Sequence, residues 1–157
     1  VRIAKKIPEI DFKIIGYGKL WSEINQYLIE MQVQNVYLIG LKKNVFKYLY
    51  NADIYLSTSL YEWMPISILE AMSVGLPIVA SNVVGNLDTI ENGITGYLYE
   101  LNNLDMAVEY IKKIAFDEQH RIKLGFNSFK RQRNFFSKSK MVLKYQNLFN
   151  KVARNFD

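Results

Sequence analysis

Two short apolar runs, Ala52-Asp-Ile-Tyr-Leu-Ser57 and Leu76-Pro-Ile-Val-Ala-Ser81, flank a single stretch of helical pattern, and this constrains the fold more than any other feature of the chain. Runs this short and apolar, each closed by a hydroxyl residue, read as strands. The helix between them is expected to begin near Pro65 or Ile66, because proline suits a first turn and Ser67 can reach free backbone N–H groups. Ile66, Leu69 and Met72 or Ser73 then mark the face that packs on a sheet. Strand, helix and strand in that order make a βαβ unit, whose ligand crevice lies beyond the C-terminal ends of the strands.

That end carries two carboxylates, Glu62 in the loop and Glu70 about one turn into the helix, in a segment otherwise almost uncharged. Exposed helix glutamates usually keep a lysine or arginine at i+4. Glu70 instead has Ile68, Leu69, Ala71 and Met72 around it and no basic residue within a turn, so its partner comes from elsewhere. A helix N-terminus offers free N–H groups and roughly half a positive charge, which suits phosphate. Carboxylates repel phosphate but accept hydrogen bonds from hydroxyls. A diphosphate flanked by polyols on both sides satisfies all three groups, and a nucleotide sugar has that form.

The rest of the chain continues the alternation. Val1 to Ile7 fits the last turns of a helix stopped by Pro8, and Asp11 to Gly16 is a strand turning at Gly16-Tyr-Gly18. The third glycine of a G-x-G-x-x-G turn is replaced by Trp21, so the pair marks a tight strand-to-helix turn more than a dinucleotide site. Leu20 to Met31 is an amphipathic helix, Asn35 to Gly40 a strand, and Val45 to Asn51 a short helix. Beyond Ser81, glycine turns enclose a helical piece containing Asp88, read as a structural cap, and a strand around Tyr97 to Tyr99. Three helices follow: Leu104 to Phe116, capped by Asn102 or Asn103; Glu118 to Arg133; and Ser137 to Val152, capped by Ser137.

Composition removes whole classes of function. With 157 residues, half of them hydrophobic, the chain is one domain's worth and long enough for a core. The absence of cysteine excludes disulfides, thiolate metal sites and cysteine nucleophiles, and suits a reducing compartment. The single histidine, His120, cannot build a triad or metal cluster and is expected on the solvated surface. No P-loop, zinc spacing or G-x-S-x-G is present. No run is long and apolar enough to span a membrane, and no signal-peptide core opens the chain, so a cytoplasmic domain is expected. The net charge of +5 is uneven: residues 1–118 hold ten Lys/Arg against fourteen Asp/Glu, and residues 119–157 hold ten against one. The basic tail points to an anionic partner, with an anionic membrane surface or an acidic protein face preferred. Its basic residues occur all round the helices without a helix-turn-helix pattern, and nucleic acid is not expected.

Glu62, seven residues, Glu70, then Ala71-Met72-x-x-Gly75-x-Pro77-Ile78-Val79-Ala80-Ser81 resembles the E-x7-E region of retaining glycosyltransferases of GT-B fold, the "glycosyl transferases group 1" family. The resemblance implies an α/β fold: a Rossmann-like parallel sheet flanked by helices, the C-terminal half of a GT-B fold, with a helical C-terminal tail. It divides the chain into a donor-binding domain over 1–118, lacking a first strand, and basic helices over 119–157 packing on it. It gives Glu62 the donor sugar's hydroxyls, as the catalytic residue, and Glu70 the nucleotide ribose. Trp63, Met64, Pro65 and Ile66 complete the loop and first turn around the donor. Gly16, Gly40 and Lys42 belong to the turns that approach diphosphate or base. No metal or other cofactor is implied, only a UDP- or GDP-sugar as substrate.

Two departures stand out. Relatives usually carry glycine directly after the first glutamate, where this chain has Trp63, and Met64-Pro65 matches a variant with proline in place of a second glycine. The family's arginine- and lysine-bearing loop for the donor diphosphate, and its N-terminal acceptor half, have no counterpart in these residues. The chain is therefore expected to be a fragment that binds nucleotide weakly and transfers nothing alone. The resemblance also implies a last helix that crosses to an N-terminal half, which would give Phe149, Arg154 and Phe156 something to touch. Abundant Lys, Asn, Ile and Tyr are consistent with an AT-rich bacterial genome and a role in surface-polysaccharide synthesis, at the inner face of the membrane if the basic tail docks there. A nucleotide-sugar epimerase of the same shape would need acid/base residues that the chain hardly offers, and a non-catalytic docking module would need no nucleotide.

Overall fold

The computed structural model describes residues 1–153. In chain order the elements are α1 (Arg2–Lys5), β1 (Phe12–Ile15), α2 (Trp21–Glu30), β2 (Val36–Gly40), α3 (Phe46–Leu49), β3 (Tyr55–Ser57), α4 (Ile66–Ser73) and β4 (Ile78–Ser81), followed by α5 (Val84–Thr89), β5 (Gly96–Tyr99), α6 (Leu104–Ala115), α7 (Glu118–Arg131), a π-helical turn (Gln132–Phe136) and α8 (Lys138–Ala153). Helices and strands alternate as the apolar runs predict.

Among the described residues every strand pairing is parallel, and the strands form two sheets, β1-β2 and β3-β4-β5. The expected sheet is therefore present in two pieces, with no hydrogen-bonded ladder joining β1 to β3. What joins them is apolar packing. Ile3 and Ile7, on and just after α1, share a core with Val79, Tyr97 and α6, while Ala4 packs with Leu28 and Val36 beside the smaller sheet. Phe12 of β1 lies against both clusters.

β4 is buried along its whole length, and its side chains alternate between two layers as a strand's must. Ile78 and Ala80 meet Ile68, Ala71 and Met72 of α4; Val79 meets Ala107, Ile111 and Ile114 of α6. The buried face of α4 is thus Ile68, Ala71 and Met72, whereas Ile66 is exposed and Leu69 only partly covered. The segment is apolar on almost every side, so the helical period fits more than one stripe and contact with β4 selects among them.

Of the later helix caps, those at Asn103 and Ser137 were expected and that at Asp117 was not. Asn103 Oδ1 accepts from the Met106 N–H at 3.1 Å, and Asp117 Oδ1 from the His120 N–H at 2.9 Å. At α8 the Lys140 N–H reaches Ser137 Oγ at 3.4 Å. That helix buries none of its residues, Phe149 included. Arg154 and Phe156, expected beside it, lie outside the described residues.

Candidate functional site

The loop from β3 into α4 carries Glu62, and its position is determined by contacts with β4 and α5. Ser81 Oγ, fully buried at the end of β4, donates to the Ser59 carbonyl at 2.6 Å. Ser59 Oγ donates in turn to Glu62 Oε1 at 2.8 Å. The Gly85 N–H donates to the Glu62 carbonyl at 3.0 Å. Beneath these, the Asn86 amide donates to the Ser81 carbonyl at 2.9 Å, and Tyr99 Oη to the Ser57 carbonyl at 3.3 Å. The half-buried Glu62 carboxylate is thus held at the C-terminal ends of β3 and β4.

Glu70 lies in the second turn of α4 and is also half-buried. Neither glutamate forms an ion pair among the described residues. Tyr55, the half-buried first residue of β3, is one to which no sequence motif drew attention. Burial raises its phenol above the ordinary tyrosine range; a hydrogen bond with Ser67 opposes this, and the charges of Glu70 and Glu62 add to it. The Tyr55 phenol, at the start of β3, thus carries the influence of both charges. Tyr55 is a typical apolar strand residue by pattern, so only the tertiary structure identifies it.

Ser67 does not cap α4. The N-cap is Pro65, and no side chain fills the cap position. Ser67 is already inside the first turn, with an exposed side chain. In the first turn the Ile68 and Leu69 N–H groups donate to the Pro65 carbonyl, leaving the Ile66 and Ser67 N–H groups without a partner among the described residues. Free N–H groups and the helix dipole favour an anion there.

The remaining loop residues divide by exposure. Pro65 is buried. Trp63, 77% exposed, stands edge-on to Tyr61 with ring centroids 5.3 Å apart, and Met64 and Ile66 are also exposed. The bulky residue at the position after Glu62 thus faces solvent.

Gly16 and Gly40 meet at the C-terminal end of the smaller sheet, where the Gly16 N–H donates to the Gly40 carbonyl at 3.1 Å. Both have positive φ, 147° and 76°, which explains glycine at each turn. Lys42 is exposed on the loop just beyond. The smaller sheet therefore groups these three, and the larger sheet groups Glu62, Glu70 and the residues between them.

Two expectations are corrected. His120 is not a solvated surface residue: its Nε2 lies 2.9 Å from Tyr97 Oη, within a half-buried cluster that includes the ring of Tyr110. Asp88 is not a cap either, because it lies in the last turn of α5 with an exposed side chain, and only its backbone carbonyl is used, by Arg131 at 3.1 Å. Among the described residues, no three His, Cys, Asp or Glu side chains converge as metal ligands would.

Residues 1–149 match the family described as glycosyl transferases group 1. The UDP-Gal:alpha-D-GlcNAc-diphosphoundecaprenol alpha-1,3-galactosyltransferase of Escherichia coli is 32% identical over 136 residues, covering 80% of this chain and 35% of that protein. The capsular polysaccharide biosynthesis glycosyltransferase CapM of Staphylococcus aureus is 27% identical over 150 residues, covering 94% of this chain and 40% of that protein. A variant of S. aureus TarM, solved in complex with Fondaparinux, alpha-GlcNAc-glycerol and UDP, superposes with a TM-score of 0.87 at 28% identity, covering 94% of this chain and 30% of that one. The chain thus spans 30 to 40% of the length of these relatives.

Proposed function

The chain belongs to the glycosyl transferases group 1 family and has the parallel α/β fold of its solved GT-B members, and from that premise we propose that it binds the nucleotide-sugar donor of a retaining glycosyltransferase. The transfer is from a UDP- or GDP-sugar to a glycan or lipid-linked acceptor in bacterial polysaccharide synthesis. One observation carries the reading. Glu62 and Glu70 are half-buried and unpaired with any cation among the described residues, Glu62 held by Ser59 at the C-terminal ends of β3 and β4 and Glu70 on α4, whose first turn has free N–H groups.

Each group has a distinct task in this reading. The Ile66 and Ser67 N–H groups receive a phosphate oxygen of the donor. Glu70 accepts from the ribose hydroxyls and Glu62 from the sugar hydroxyls, with Pro65 shaping the turn between them. As the glycosidic bond to the diphosphate breaks, charge grows on the departing phosphate, and the dipole of α4 is oriented to stabilise it without a metal ion. Gly16, Gly40 and Lys42 form the opposite wall around diphosphate and base. The acceptor is held by parts of the protein outside these residues, so the chain alone binds nucleotide weakly and transfers no sugar. Trp63, Met64 and Ile66, exposed beside the first glutamate, sit where the donor sugar enters.

The reading is tested by calorimetric titration with UDP, GDP and their sugar conjugates. Binding of one nucleotide that falls on the order of tenfold or more in Glu70→Ala, the size of a lost charge-assisted hydrogen bond, is the expected result. Binding that Glu70→Ala leaves unchanged would remove the ribose role.

A second reading concerns partners. α8 exposes Met141, Tyr145, Leu148, Phe149 and Val152 along one side and carries Lys138, Lys140, Lys144 and Lys151 with no acidic residue. A basic, apolar, unburied helix of this kind suits an anionic bilayer surface, where lipid-linked acceptors reside. The enzyme would then work at the cytoplasmic face of the membrane. No helix among the described residues is long and apolar enough to cross one.

A further inference from the structure

We infer that Ser59 is a positioning residue for the donor sugar: its hydroxyl locks the Glu62 carboxylate in one orientation, with Oε1 committed to the protein and Oε2 presented to a sugar hydroxyl. This rests on the donor-site reading of Glu62 and adds to it a residue that neither the E-x7-E spacing nor the family match assigns.

The argument begins with the carboxylate. A glutamate side chain in a loop has three rotatable bonds, and fixing them costs entropy that a binding site must recover elsewhere. Here Oε1 accepts from Ser59 Oγ at 2.8 Å, and Oε2 has no partner among the described residues. A hydroxyl partner, unlike a lysine or arginine, orients the carboxylate without neutralising it. The charge stays available for a sugar O–H, a stronger hydrogen bond than a neutral acceptor would make.

Ser59 is itself held by buried structure. Ser81 Oγ donates to its carbonyl at 2.6 Å, and Ser81 belongs to the fully buried strand β4. The Asn86 amide donates to the Ser81 carbonyl at 2.9 Å, and Asn86 is also fully buried. Ser57 Oγ lies 3.4 Å from Ser59 Oγ on its other side, a longer contact that leaves the Ser59 proton for Glu62. At the backbone, the Gly85 N–H holds the Glu62 carbonyl at 3.0 Å. Glu62 is therefore constrained twice, at its carbonyl by α5 and at its carboxylate by Ser59, and both constraints lead back to β4 and the helix that follows it. A binding group gains most when its own supports are rigid in this way.

The test compares each nucleotide with its sugar conjugate, UDP against UDP-glucose and UDP-N-acetylglucosamine, and GDP against GDP-mannose, by calorimetry on the full chain. The wild type is expected to bind one conjugate more tightly than the bare nucleotide. Ser59→Ala should lose that gain, on the order of tenfold in Kd, and keep its affinity for the nucleotide alone. Ser59→Thr, which keeps the hydroxyl, should restore it. In a Glu62→Ala background, Ser59→Ala should have no further effect, because the two residues act as one unit.

Retention of the sugar-dependent gain in Ser59→Ala would overturn the positioning role and leave the donor-site reading standing. Equal loss for nucleotide and conjugate, together with a lower melting temperature, would overturn it in favour of a purely structural hydroxyl. A wild type that binds bare nucleotide and conjugates equally would instead overturn the role of Glu62, and the inference with it.

Discussion

Whether the Glu62 loop can lie where it does depends on the missing side chain of Gly85. A Cβ at that position would sit 2.5 Å from the Trp63 carbonyl oxygen and 2.7 Å from that of Glu62. Both are backbone atoms, so the loop must shift to make room. The Gly85→Ala variant is expected to cost about 1–3 kcal/mol in urea unfolding, as overpacking does. It should also loosen conjugate binding more than nucleotide binding, because the displaced segment carries Glu62 and not Glu70. The φ of Gly85 is not among the positive values, so steric approach, not backbone strain, makes glycine necessary. His120 and Tyr55 teach the same lesson. His120 meets the Tyr97 hydroxyl, distant in the chain, and the Tyr55 phenol is raised first by burial and then by the charges of Glu70 and Glu62.

Between elements, the most consequential polar contact lies away from the site. Asn35, buried just before β2, places its amide nitrogen 3.1 Å from the Ala4 carbonyl, 3.0 Å from that of Ile7 and 2.7 Å from that of Ile10. These carbonyls lie on and after α1, where the chain turns toward β1. One side chain thus ties α1 to the smaller sheet while Ile3 and Ile7 tie the same segment to the larger one. Asn35→Ala would leave those carbonyls with no side-chain donor and is expected to cost about 2 kcal/mol, measured as a lower urea midpoint. α4 shows how one element serves two ends. Its buried Ile68, Ala71 and Met72 hold it on β4, and that docking presents Glu70 and the free N–H groups of the first turn.

For the molecule as a whole, the charge asymmetry and the exposure of α8 coincide. Among the described residues of 119–157, all the basic side chains but Arg133 of the π-helical turn lie on α7, which buries a face, or on α8, which does not. α7 uses Arg131 inward: its guanidinium donates to the Thr89 carbonyl at 2.7 Å and to the Asp88 carbonyl at 3.1 Å, joining α7 to the end of α5. The lysines of α8 enter no ion pair among the described residues. Truncation after Ser137 is therefore expected to move Tm by no more than about 3 °C, since little packing is lost. The same truncation should abolish sedimentation with anionic vesicles, which in the intact chain should weaken as salt rises. Unchanged sedimentation after truncation would remove the membrane reading of α8.

The alternation of strands and helices, the parallel pairing, and the positions of Glu62 in the loop beyond β3 and of Glu70 on the helix that follows are legible in the sequence. They follow from local rules: apolar runs of strand length, turn glycines at Gly16 and Gly40, and a proline before α4. Helix caps at Asn103 and Asp117 belong to the same short-range chemistry, although only the first was expected. What depends on contact between distant segments was decided by the tertiary structure alone. The buried stripe of α4 was chosen by β4, because the helix is apolar on too many sides for periodicity to choose. Ser67 fell inside the first turn of α4, where no side chain makes a cap bond. The division into two sheets, and the hold of Ser81 on Ser59 across 22 positions of sequence, likewise arise from packing. Local residue pattern sets which elements form and at which end their polar groups emerge. The orientation of each group, and whether it meets protein or solvent, is set by which buried neighbours the fold brings against it.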